Sequence, residues 1–225
     1  MSQELRHTLG VIDEAFSRLR AEILIMAAQT RTNLVNAING LFERDTALCN
    51  QAIADDSDVD LLEKKIDREG TEIIVRYTPF ATDLRRVLGA MKVAAELERI
   101  SDQAVGIARR GRKLNDCPAL DEVGLVRSLT DAILAIYDEA VLVFEEENVE
   151  RALQIKPMDK KIDVLHRELI EEMNRGMEKH PDRLKDYLEV VFLIRFLERA
   201  ADHAVNIGEN AIYIRSGQDI RYTHS

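Results

Sequence analysis

Glu98 and Asp102 stand four residues apart, a spacing that puts two carboxylates on one face of a helix. Three more pairs have the same form: Glu63 with Asp67, Asp159 with Asp163, and Glu198 with Asp202. All four fall in line with apolar stripes. Glu98 and Asp102 align with Met91, Ala94, Ala95 and Val105, and Glu198 and Asp202 with Leu184, Val191, Ile194 and Val205. In the preceding helices the first pair lines up with Val59, Ile74 and Tyr77. The second lines up with Ile155, Ile170 and Met173, with His166 beside it. With 41 acids in the chain, roughly seven acid–acid pairs at this spacing arise by chance, so a single pair is usually solvated surface. Four pairs at matching positions of a repeat carry more weight. Like charges four apart cost a helix a few tenths of a kcal/mol each, and accepting that cost four times points to a compensating cation. Oxygen-only ligation favours magnesium, manganese or iron over zinc or copper. The eight carboxylates are therefore the candidate metal ligands.

The elements that must carry these pairs are helices. The apolar period is helical throughout, glycine and proline are scarce, and no window alternates as a strand does. The pattern predicts helices at about 5–43, with room for a break near Thr30, then 45–54, 57–77 and 82–112. After a linker around Pro118 it predicts 120–144, 148–155, 157–178 and 182–214. The order repeats, and so do the residues. EKKID at 63–67 matches DKKID at 159–163, and LERISDQAVGI at 97–107 matches LERAADHAVNI at 197–207. The offsets are 96 and 100, and the four-residue difference predicts a longer loop between the last two helices of the second half. The expected fold class is all-α: two tandem pseudo-symmetric three-helix bundles of up-down helices, over 1–115 and 116–225. An antiparallel hairpin in each half would bring its two acid pairs together.

Composition narrows the function. A net charge of −10 argues against nucleic acid as a primary ligand and gives no strong attraction for free phosphate. Two cysteines, Cys49 and Cys117, are too few for a disulfide framework and fit a reducing compartment. The most apolar stretch, at 21–28, is far shorter than the ~20 residues that span a bilayer. Phosphate-cradling GxxxxGK[ST] loops are absent. The expectation is a soluble cytoplasmic protein.

LERISDQAVGIAR at 97–109 and FLERAADHAVNIGENAIY at 196–213 resemble the signature of the PhoU family, the regulators of bacterial phosphate uptake, and ATDLRRV at 81–87 resembles that family's start of the same helix. The resemblance covers nearly the whole chain. It implies two three-helix bundles with metal clusters, polynuclear in some members, at the E(D)xxxD pairs. These are Glu63, Asp67, Glu98 and Asp102 in the first half, and Asp159, Asp163, Glu198 and Asp202 in the second. It also implies a homodimer coupling a phosphate ABC transporter, through its ATPase subunit, to a sensor histidine kinase, and restraining uptake and phosphate-starvation signalling. The match departs where the family has an Ile-Gly-Asp-His run followed by Asn: the first half reads Ile100-Ser101-Asp102-Gln103 with Gly106, the second Ala200-Ala201-Asp202-His203 with Asn206.

A non-enzymatic regulator is the leading reading. A ferritin-like di-metal carboxylate oxidase is a rival, resting on the single Asp163-x-x-His166 element. A metal-free helical adaptor is the other.

Overall fold

In the computed structural model, which describes residues 3–217, the chain folds into six long helices: α1 (Gln3–Phe42), α2 (Thr46–Tyr77), α3 (Thr82–Asn115), α4 (Arg127–Glu146), α5 (Val149–Lys179) and α6 (Leu184–Ser216). Short 3₁₀ turns at Asp121–Val126 and Pro181–Arg183 lead into α4 and α6. No strand occurs among the described residues. Caps set several ends. The Asp45 carboxylate accepts from the Ala47 and Leu48 amides (2.7 and 3.3 Å) at the start of α2, and Asn148 accepts from the Arg151 amide (3.1 Å) at the start of α5. Gly217, at φ 72°, ends α6 with its amide on the Tyr213 carbonyl.

Three predicted breaks are not there. α1 runs through Thr30, which is fully buried and spends its hydroxyl on the Leu97 carbonyl, 3.4 Å away across the core. α2 runs through Asp55-Asp56-Ser57, a stretch whose residue types favour turns. Its polar side chains find partners that leave the helix intact: Ser57 on the Ala54 carbonyl, Asp55 with Gln51, and Asp56 with Ser101 of α3. α5 runs through Pro157, whose ring costs the Leu153 carbonyl its helical donor. Pro157 and Leu153 are both exposed, so water can replace that donor. The longer segment predicted as a loop in the second half is helix instead. α5 continues 16 residues past Asp163, whereas α2 continues 10 past Asp67, and the loops that follow are of equal length.

α1, α2 and α3 pack on one another, as do α4, α5 and α6, and the most extensive helix pair, α3 with α6, joins the two bundles. That pair is antiparallel. Gly89 lies against Ile214, Gly106 against Phe196, and Arg110 against Glu189. One continuous core runs through both bundles, and Leu97, Ile100, Leu197 and Ile207 are fully buried in it. α1 also meets α4: Tyr137 donates to the Ala27 carbonyl (2.6 Å), and Arg31 pairs with Asp138 (2.6 Å).

Candidate metal faces

Each acid pair takes its position from the helix that carries it. Within each of the four pairs the first carboxylate, Glu63, Glu98, Asp159 or Glu198, is half-buried, and the second, Asp67, Asp102, Asp163 or Asp202, is exposed. The pairs thus climb from the edge of the core into solvent. They border the apolar stripe and do not interrupt it, since Val59, Ala94, Val105, Ile155 and Met173 are buried beside them.

In the second half the expected set meets. Burial and the nearby Asp163 and Asp202 carboxylates push Asp159 above the ordinary carboxylate value. Asp202 is also raised, by burial, Glu198 and Asp163, against the opposing charges of His203 and Arg199. Glu198, Arg199 and Asp202 line a cleft of about 710 Å³ between α5 and α6 together with His166 and Arg195. His166 therefore joins the acids, as its helical position predicts.

The first half is different. Glu98 is raised by burial and then by Asp102, Glu63, Asp60 and Asp56. Asp56 is raised by burial, Asp102 and Asp60, although the Ser101 hydroxyl donates to it (2.7 Å). Ser101 is buried and in turn accepts from Asn33 of α1 (3.1 Å). The acid stripe of α2 is thus Asp56, Asp60 and Glu63, while Asp67 lies exposed at its far end. Asp56 and Asp60 were absent from the sequence-derived set. Asp60 is three residues before Glu63 and Asp56 seven before it, spacings that share one helical face, and Asp56 joins that face only because α2 is unbroken.

His203 and Asn206 serve another contact. The His203 Nδ1 is 2.8 Å from a Glu96 carboxylate oxygen across the α3–α6 seam, and the Asn206 amide donates to the same oxygen (3.1 Å). Burial alone would raise Glu96, but these two bonds outweigh it and hold Glu96 below the ordinary value. Asn206, four residues beyond Asp202 on the same helix, thus serves Glu96 across the seam. The seam's pseudo-symmetric counterpart is apolar: the Phe196 ring packs on Gly106, where an added Cβ would meet it at 2.6 Å.

Carboxylates crowded enough to raise each other's pKa suit a hard cation chemically. Among the described residues, however, no group of three or more His, Cys, Asp or Glu side chains is arranged to hold an ion. The acids form open faces rather than closed cages. Water would have to supply much of the coordination, as it does around weakly dehydrated cations such as Mg²⁺.

The structure is a duplicated three-helix scaffold, joined by an antiparallel seam and bearing an acid face on each half. The PhoU domain model matches residues 23–111 and again 126–211, one copy in each half. The chain belongs to the PhoU family. It is 31% identical over 217 residues to a Pseudomonas putida protein described as a phosphate-specific transport system accessory protein PhoU homolog, covering 96% of this chain and 85% of that one. A Pseudomonas aeruginosa homolog of the same description is 30% identical over 205 residues, covering 91% and 85%. The crystal structure of PhoU from Pseudomonas aeruginosa superposes with a TM-score of 0.88 at 28% identity, over 92% of this chain and 99% of that one. A Streptococcus pneumoniae PhoU structure shares the fold at a TM-score of 0.84 and 22% identity, over 92% and 98%.

Proposed function

We propose that this chain is a non-enzymatic regulator that restrains phosphate uptake by a phosphate ABC transporter and restrains phosphate-starvation signalling through a sensor histidine kinase. The observation that carries the reading is the double family match, with the acid pairs repeated in both copies. The transport-accessory descriptions of its relatives support it. In this reading the chain works as a cytoplasmic homodimer, acts through the ATPase subunit of the transporter, and reaches the membrane only through its partners. Among the described residues no helix is long and apolar enough to cross a membrane.

The acid faces bind magnesium, manganese or iron. Asp159, Asp163, Glu198 and Asp202 hold the ion in the second half, and Glu63, Glu98 and Asp102 with Asp56 and Asp60 hold it in the first. Bound metal supplies positive charge that lets the carboxylates stay ionised while crowded. Glu198 and Asp202 stand at the mouth of the cleft, where they present that charge to a partner.

Deleting the gene should derepress phosphate-starvation genes in phosphate-rich medium, and the wild-type chain should restore repression. Glu198→Gln with Asp202→Asn should give a folded protein, with less metal by elemental analysis, that fails to restore it. Full repression by a folded, metal-free variant would remove metal from the mechanism. A deletion without effect on phosphate-responsive genes would remove the regulatory reading.

A further inference from the structure

The loop between α2 and α3, Thr78-Pro79-Phe80-Ala81, carries the most exposed large apolar side chain among the described residues: Phe80 is 88% exposed. The backbone presents it under strain. Thr78 (φ 47°, ψ 55°) and Ala81 (φ 49°, ψ −106°) both sit at positive φ, a region that residues with a Cβ avoid. Hydrogen bonds hold both ends of the loop: Thr78 to the Ile74 carbonyl (3.0 Å), Asp83 to the Phe80 carbonyl (3.1 Å) and Arg85 to the Ala81 carbonyl (3.1 Å).

The flanks are basic. From Arg76 to Arg86 there are three arginines and one aspartate, a local charge of +2 in a chain of −10. Arg76 and Arg86 make only loose, exposed ion pairs, with Glu72 at 3.6 Å and Asp83 at 3.4 Å, so their charge remains available. The second half has no such projection. His180 takes the place of Phe80 under the 100-residue offset, and Arg183 ties that loop to the linker by donating to the Pro118 and Ala119 carbonyls.

We propose that the α2–α3 loop is a docking element that seats this chain on a protein component of the phosphate transporter, with Phe80 filling an apolar pocket whose rim carries carboxylates. The proposal rests on the transport reading above. Strained backbone persists only where the surrounding structure holds it, as these bonds do here, and such strain clusters at binding and switch sites. An aromatic anchor already fixed in position loses little entropy on binding. A local positive charge on an acidic chain selects an acidic rim and speeds encounter with it. A lipid surface fits less well, because one ring and a charge of +2 do not offset the repulsion of a −10 chain from anionic headgroups.

The test is binding of the full chain to the purified transporter in nanodiscs of neutral lipid, at low and high salt. Phe80→Ser should weaken binding about tenfold or more without lowering the unfolding temperature. Arg76→Glu should weaken it a few-fold and flatten the salt dependence. Leu153→Ser, at an exposed apolar site on α5, should leave binding unchanged. If the wild-type chain binds and Phe80→Ser binds equally well, the docking element is wrong while the transport reading stands. If the wild-type chain does not bind at all, the transport reading falls and takes the docking element with it. Binding to protein-free anionic vesicles that is lost with Phe80→Ser would overturn the proposal in favour of lipid.

Discussion

The two acid faces descend from one repeat yet sit in different surroundings. In the first half Ser101 and Asp56 form a partly buried polar contact, and Asn33 extends it to α1. At the matching positions of the second half stand Ala201 and Ala152, both buried. The first face therefore carries more carboxylates, Asp56 and Asp60 beyond the repeated pairs, and one cation, Arg109, opposes Asp56, while both Arg199 and His203 oppose Asp202 on the second. The seam is asymmetric in the same way, with Glu96, His203 and Asn206 on one side of its pseudo-axis and Phe196 on Gly106 on the other. Duplication preserved the surface acids and the apolar periodicity, and divergence fell on the partly buried polar positions. Such positions are tolerant only in pairs, because a buried polar group needs its partner and an alanine needs none.

The sharpest way to break this comparison is at the core, where the halves should be equivalent. Leu97 and Leu197 are both fully buried. Truncating either to alanine should cost about 2–5 kcal/mol, and chemical denaturation should give similar values for the two. A large disparity would show that the repeats are not equivalently packed.

The seam should give a smaller effect of two different kinds. Gly106→Ala forces a Cβ into the Phe196 ring and should cost about 1–3 kcal/mol, independent of pH. Glu96→Gln should cost about 1–2 kcal/mol through a weakened charge-assisted contact. Because folding lowers the pKa of Glu96, its contribution is present above the ordinary carboxylate value and is lost as pH falls through the depressed one. The cost of Glu96→Gln should therefore shrink at acid pH. Unfolding midpoints from about pH 7 to about pH 3 would show whether it does.

The smallest effect, of opposite sign, belongs to the acid faces. Glu98 and Asp56 have raised pKa values, so their ionised forms destabilise the fold, and the penalty is present above the raised values and relieved as pH falls through them. In a chelator, Asp56→Asn with Glu98→Gln should stabilise by about 0.5–1 kcal/mol near neutral pH, discounted for solvent exposure. That gain should fade toward about pH 4. Asp159→Asn with Asp202→Asn should gain less, because Arg199 and His203 already oppose the charge on Asp202. Thermal unfolding with chelator and with added Mg²⁺ measures both, and equal gains would erase the contrast between the faces.

The helices and the duplication were legible because each rests on a local period repeated many times. The second acid face was legible for the same reason, with Asp159, Asp163, Glu198, Asp202 and His166 all placed by helical spacing. The first was legible in part. Glu63, Glu98 and Asp102 stand on it as helical spacing places them, but Asp55-Asp56-Ser57 reads as a turn, and that break hid Asp56 from the stripe it shares with Glu63; Asp60, on the same predicted helix as Glu63, had no repeat partner in the second half to mark it. The contact between Glu96 and His203 carried no signal, since the two residues are 107 apart and Glu96 lies just outside the repeated motif whose second copy contains His203.

The amino-acid sequence alone determined that the chain is helical, duplicated and acidic, and that each half carries paired carboxylates, because spacing along a helix is a property of neighbouring residues. The tertiary structure decided which carboxylates face one another, that α2 and α5 run unbroken, and that the α3–α6 seam is polar on one side and apolar on the other. Those outcomes depend on partners brought from another helix, such as Ser101 for Asp56 and His203 for Glu96, and no local spacing encodes them.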